Sequence, residues 1–172
     1  MFDLSGFSPA ELSALRLDGD VFAIFEAHVL ADEPDTLAAR IRLARGDAPP
    51  SYILDGESAA WVWEALPLPP RTPQFCLAMN RRSTDRINRV KAQHYVQLEE
   101  QDIVSTESGS VLSPWRTLLH VLRWAPTVPD ACITLLLSRA GETVHTARAR
   151  IESRYTTGQR SIYLRRLERI EG

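Results

Sequence analysis

The polar and apolar positions change period several times along the chain, and each change marks an element. Ser8-Pro9-Ala10-Glu11 carries a capping-box pattern with proline at the first helical position, which predicts a short helix from about Pro9 to Arg16. Asp18-Gly19-Asp20 ends it. The β-branched and aromatic residues between Val21 and Leu30 predict one or two short strands. A second helix is expected from about Asp35 to Arg45, with acids in its first turn and arginines in its last, as the helix dipole favours. Gly46-Asp47-Ala48-Pro49-Pro50 is the best internal boundary. Beyond it come a short strand over Ser51 to Leu54, a turn at Asp55-Gly56 and a helix from Glu57 to Leu66. Pro67, Pro69 and Pro70 stop that helix.

The middle of the chain reads as β, with runs at Phe75 to Met79 and Val90 to Leu98 and shorter ones at Ile103-Val104 and Val111-Leu112. Pro114 opens a helix reaching about Trp124, and Val128-Pro129-Asp130 starts another that ends near Gly141. Two more helices are expected, from about Thr143 to Arg154 and from Gln159 to Ile170. A mixed front, a β middle and a helical tail predict an α+β fold. The expected organisation is a small wing-like remnant over residues 1–48, packed on a mixed α/β domain over 49–172 with a helical C-terminal tail.

Composition narrows the class. Hydrophobic residues make up 44% and charged residues 24%, ordinary for a folded globular protein. No apolar run approaches the ~20 residues of a membrane-spanning helix. The start, Met1-Phe2-Asp3-Leu4, lacks the basic segment of a secretory signal. Cys76 and Cys132 are far apart, and His28, His94, His120 and His145 stand singly, so no metal-ligand spacing exists. Two buried thiols, no metal, no cofactor and a cytoplasmic location are the expectation. Of the 20 basic residues only Lys91 is lysine, which suggests a high-GC genome.

Charge alters the picture most. Residues 1–66 hold four basic residues (Arg16, Arg40, Arg42, Arg45) against twelve acids, a net of −8; the remainder holds 16 against 10, a net of +6. The local field therefore says more about partners than the overall −2 does. Arg81, Arg82, Arg86, Arg89 and Lys91 place five cations in eleven residues, offset only by Asp85. Lying between two predicted strands, they are expected to form an exposed hairpin-like arm that binds phosphates or an acidic protein surface. Arginines of the tail have acids nearby and read as solvated helix faces.

Catalytic signals are thin. Gly56-Glu57-Ser58-Ala59-Ala60, between a strand and a helix, resembles a nucleophile elbow, but Ala60 replaces its last glycine. A hydrolase would also need an acid and a histidine from later loops, whereas His94 falls in a predicted strand and His120 and His145 in helices. A small-residue helix start, with Ser58 near the cap, is the better account. Glu99-Glu100 and Asp102 precede the polar turn Ser105 to Gly109 and read as a solvated acidic loop. The four tryptophans (Trp61, Trp63, Trp115, Trp124) are spaced as core anchors.

Ser58-Ala59-Ala60-Trp61-Val62, the proline-rich break, the arginine-rich turn and Ser113-Pro114-Trp115-Arg116-Thr117-Leu118-Leu119 together resemble the actinobacterial branch of the AbiEi-type antitoxins of type IV toxin–antitoxin systems. The resemblance covers roughly residues 8–170. It implies a transcriptional autoregulator, with a DNA-binding winged helix at the N-terminus and a C-terminal domain opposing a nucleotidyltransferase-like toxin. Three departures qualify it. Only one short helix precedes the wing-like strands, so the winged helix is expected to be degenerate. That segment is acidic where a DNA-facing surface should be basic. His120 also stands where the family helix carries aspartate.

The reading is therefore a non-catalytic antitoxin-like or regulator-like protein that binds nucleic acid or an acidic partner through the arginine-rich arm. The alternatives are a protein-interaction module that has lost DNA binding, with its acidic front toward a basic partner, and a serine hydrolase using Ser58. Arg116 has two readings, a functional position or a helix-start residue that pairs with a carboxylate or caps carbonyls.

Overall fold

A computed structural model of the chain describes residues 6–25, 27–79, 93–125 and 127–171. Helix α1 (Pro9–Asp18) begins in the expected box: Ser8 Oγ accepts from the Glu11 N–H, and Glu11 Oε2 accepts from the Ser8 N–H at 2.8 Å. Gly19, at φ 83°, closes it in the left-handed conformation that glycine adopts without strain. Strands β1 (Val21–Ile24) and β2 (Ala27–Leu30) pair antiparallel with Val21 opposite Leu30. Helix α2 (Leu37–Arg45) starts two residues later than expected, with no acid in its first turn. Thr36 is the cap because its hydroxyl reaches the Ala39 N–H at 3.1 Å; Asp35 stands outside and pairs with Arg40 through two bonds of 2.6 and 2.5 Å.

Among the described residues the main sheet has five strands: β3 (Ile53–Leu54), β4 (Phe75–Ala78), β5 (Gln93–Val96), β6 (Ile103–Thr106) and β7 (Gly109–Leu112), in the order β5-β4-β3-β7-β6. It is mixed: β3/β4 and β6/β7 pair antiparallel, β3/β7 and β4/β5 parallel. Period-two alternation gives each face its own core. Leu54, Phe75, Leu77 and Val111 face the main helical core, whereas Ile53, Cys76, Ala78 and Leu112 cluster on the other side with Val96, Leu98 and Ile103. Ser105, Thr106 and Gly109, expected in a polar turn, belong to the strands of a tight hairpin, and a short 3₁₀ helix (Glu100–Asp102) leads into β6. The strands on either side of the arginine-rich segment, β4 and β5, are parallel neighbours, and the segment itself lies outside the described residues.

Helix α3 (Gly56–Val62) stops four residues short of Leu66, where Glu64 takes a positive φ of 60°. Helix α4 (Pro114–Trp124) runs through the centre. Trp115, Thr117, Leu118, Leu119, Val121 and Leu122 are buried, packing it against α3, β7, α5 (Asp130–Arg139) and α7 (Thr157–Glu171). Helix α6 (Val144–Arg154) is capped by Thr143 and packs on α7. Among the described residues, seven α-helices with a five-stranded mixed sheet and a small antiparallel pair make this an α+β fold. Both cysteines are buried and free. Trp61 and Trp115 are core anchors as expected, but Trp124 is not: it ends α4 on the polar side and is 62% exposed. Among the described residues no helix is long and apolar enough to cross a membrane.

Candidate functional site

The face of α4 turned away from the core carries Arg116, His120 and Arg123, spaced i, i+4 and i+7 so that all three line up along one side of the helix. They border a groove of about 190 Å³ between α4, the edge strand β5 and α7, lined also by Tyr95, Val96, Leu112, Leu119, Trp124 and Tyr163. Cations and aromatics meet there. Arg116 is tethered by its Nη2, which donates to the Gln97 carbonyl at 3.2 Å beyond the end of β5. That bond is the carbonyl-capping role expected of a helix-start arginine. Arg123 lies over the indole of Trp124 at 4.7 Å from the ring centroid, a cation–π arrangement. Tyr95 is 61% exposed on the strand edge.

Neither Arg116 nor Arg123 has a carboxylate within ion-pair range among the described residues, as is also true of Arg16, Arg45, Arg71, Arg154, Arg160 and Arg165; what is particular to the two is that they share one groove with exposed aromatic rings. Arg40, Arg42, Arg139, Arg148, Arg150 and Arg169 each have an acid within ion-pair range. Arg166, by contrast, is buried: its guanidinium donates to the carbonyls of Val121 at 3.0 Å, Ala125 at 2.5 Å and Val128, closing the C-terminal end of α4.

Behind His120 is an unusual support. Its Nδ1 is 3.7 Å from Oδ2 of Asp55, which follows β3 and is 1% exposed. Burial pushes the Asp55 carboxyl up to about 7, partly offset by a hydrogen bond from the Cys76 thiol. Burial also drives the Cys76 thiol far up, and the charge of Asp55 adds to that. The local chain is shaped for this packing. Gly56 has φ 54°, and a Cβ there would come within 2.0 Å of Gln74 Oε1, the atom that accepts from the Glu57 N–H at 2.8 Å.

Ser58, the hydrolase candidate, is fully buried on α3, and its Oγ accepts from the Gln74 N–H at 2.9 Å. Its position and bonding are those of a strut between α3 and the entry to β4. Arg81, Arg82, Arg86, Arg89 and Lys91 lie outside the described residues. The sequence singled out Arg116 but not its neighbours in the groove, because Tyr95 on β5 and Tyr163 on α7 come to α4 only in the fold. The one legible signal was the i, i+4, i+7 spacing of Arg116, His120 and Arg123.

No known family model matches this chain, and no curated protein matches it. Among solved structures, the crystal structure of the RV2827C protein from Mycobacterium tuberculosis is similar, with 18% identity over 94% of this chain and 70% of that chain and a TM-score of 0.38.

Proposed function

We propose that this is a non-catalytic, antitoxin-like or regulator-like protein that binds nucleic acid, with the α4 groove as a contact surface. The observation that carries the reading is the pair of arginines without carboxylate partners, Arg116 and Arg123, lined up beside His120 and two exposed aromatics. Phosphate contacts by arginine provide sequence-independent affinity, and exposed rings add stacking. The family resemblance supports the regulator class, and the cluster Arg81, Arg82, Arg86, Arg89 and Lys91 supplies further positive charge in the same chain. The buried, acceptor role of Ser58 favours a binding protein over a hydrolase.

The test is binding of fluorescently labelled DNA from the protein's own upstream region, followed by anisotropy across a salt series. Affinity should fall steeply with salt. Arg116→Ala with Arg123→Ala should weaken binding and flatten the slope of log K against log salt by about 2, since each phosphate contact contributes about 0.9. Arg82→Ala with Arg86→Ala should weaken it further. Absence of binding at about 50 mM salt, where phosphate-driven association is strong, would overturn the reading.

A second reading draws on the other end of the molecule. Helix α1 buries none of its residues, and Phe7, Leu17 and Phe22 are exposed beside Glu11, Asp18 and Asp20. An acidic surface with apolar anchors favours a protein-interaction module for a basic partner. Co-purification of such a partner from the native host, lost on Leu17→Asp, tests it.

A further inference from the structure

The composition of the groove points to one form of nucleic acid. In a duplex the bases are stacked inside, and a protein meets phosphates, sugars and base edges. The flat faces of aromatic side chains have little to do there. In an unpaired strand the base faces are free, and aromatic side chains stack on them while cations follow the backbone. The groove holds both kinds of group. Tyr95 on the β5 edge and Trp124 at the end of α4 are 61% and 62% exposed, and both line the same cleft as Arg116 and Arg123.

Its dimensions agree. About 190 Å³ is below the ~300 Å³ at which pockets for drug-sized ligands begin, which suits one planar ring system. Arg116 and Arg123 are seven residues apart on α4, about 10 Å along the helix axis, so they can meet phosphates on either side of one or two nucleotides. Arg123 already covers part of the Trp124 indole, 4.7 Å from its centroid, and so brings positive charge to the stacking surface.

We infer that the groove takes an unpaired nucleotide of a single-stranded nucleic acid, its base against Trp124 and Tyr95 and its flanking phosphates on Arg116 and Arg123. This rests on the nucleic-acid reading above. His120 lies between the two arginines in the groove wall, its ring nitrogens toward Asp55 and Gly56.

Three probes separate the outcomes: single-stranded oligomers (oligo-dT and oligo-rU, compared to distinguish DNA from RNA), a duplex of equal length, and inorganic polyphosphate. The single strands should bind more tightly than the duplex and quench tryptophan fluorescence. Trp124→Ala and Tyr95→Ala should each weaken single-strand binding about 10-fold, with polyphosphate binding unchanged, and Trp124→Phe should restore most of the loss. Both rings are exposed, so these variants keep the fold. Equal or tighter binding of the duplex, indifferent to Trp124→Ala, overturns the inference and leaves the nucleic-acid reading standing. Polyphosphate binding that matches the single strands, with Trp124→Ala neutral for both, also overturns it. No binding of any of the three removes both.

Discussion

Asp55 is a carboxylic acid placed where a carboxylate is costly. Buried on the sheet's second face, it meets the Cys76 thiol from β4 and His120 from α4, with Arg116 acting on Cys76 from the same helix. A folded-state value of about 7 against an ordinary 3.8 means that the fold holds this proton more tightly than the unfolded chain does. Stability from this group is therefore complete below about pH 4 and is lost as pH rises to about 7, a difference on the order of 4 kcal/mol. Thermal unfolding should show a Tm lower at pH 8 than at pH 5, and Asp55→Asn should flatten that dependence. A wild-type Tm that does not fall over this interval would overturn the raised value for Asp55.

At the level of elements, α4 does two jobs, and its termini explain how. Ser113 caps the start, its Oγ accepting from the Arg116 N–H, and Thr117 Oγ1 donates to the Leu112 carbonyl at 3.2 Å. The far end, with no glycine to turn it, is closed by Arg166 from α7, more than forty residues later. Arg166→Met should leave those carbonyls without their partner and cost roughly 2–4 kcal/mol in urea unfolding, with the transition still cooperative. Most elements were legible because their signals are local. Capping boxes, prolines at helix starts and period-two runs put α1, α4, β4 and the hairpin of β6 and β7 within a residue or two of their places. The strand partners were not legible. Nothing local says that β4 and β5 pair in parallel. Trp124 was misjudged for a related reason: a tryptophan at a helix end is core or surface according to what packs on that turn, which only the tertiary arrangement decides. Arg166 looked like one more solvated arginine because the carbonyls it serves belong to another helix and the loop after it.

Across the whole molecule, the division of charge between the acidic front and the basic remainder sets up a long-range field rather than a set of pairs. Asp18 and Asp20 stand exposed at the front, where they oppose the approach of any polyanion to the groove. Asp18→Asn with Asp20→Asn should speed nucleic-acid association a few-fold at about 10 mM salt, where screening reaches roughly 30 Å, and should change little at about 1 M. Equal effects at both salt levels would mean direct contact instead of field. The α+β class was readable from element order alone, but the groove was not. It is assembled from β5, α4 and α7, which meet only in three dimensions.

The cap that Arg166 places on α4 has a consequence for the order in which the site is made during synthesis. The helix bearing Arg116 and Arg123 leaves the ribosome well before α7, whose Tyr163 forms part of the groove and whose Arg166 closes the helix end. Until those residues emerge, the nascent chain carries its cations on a helix with open carbonyls and a groove lacking one wall. Completion of the groove thus waits until α7 has emerged and docked.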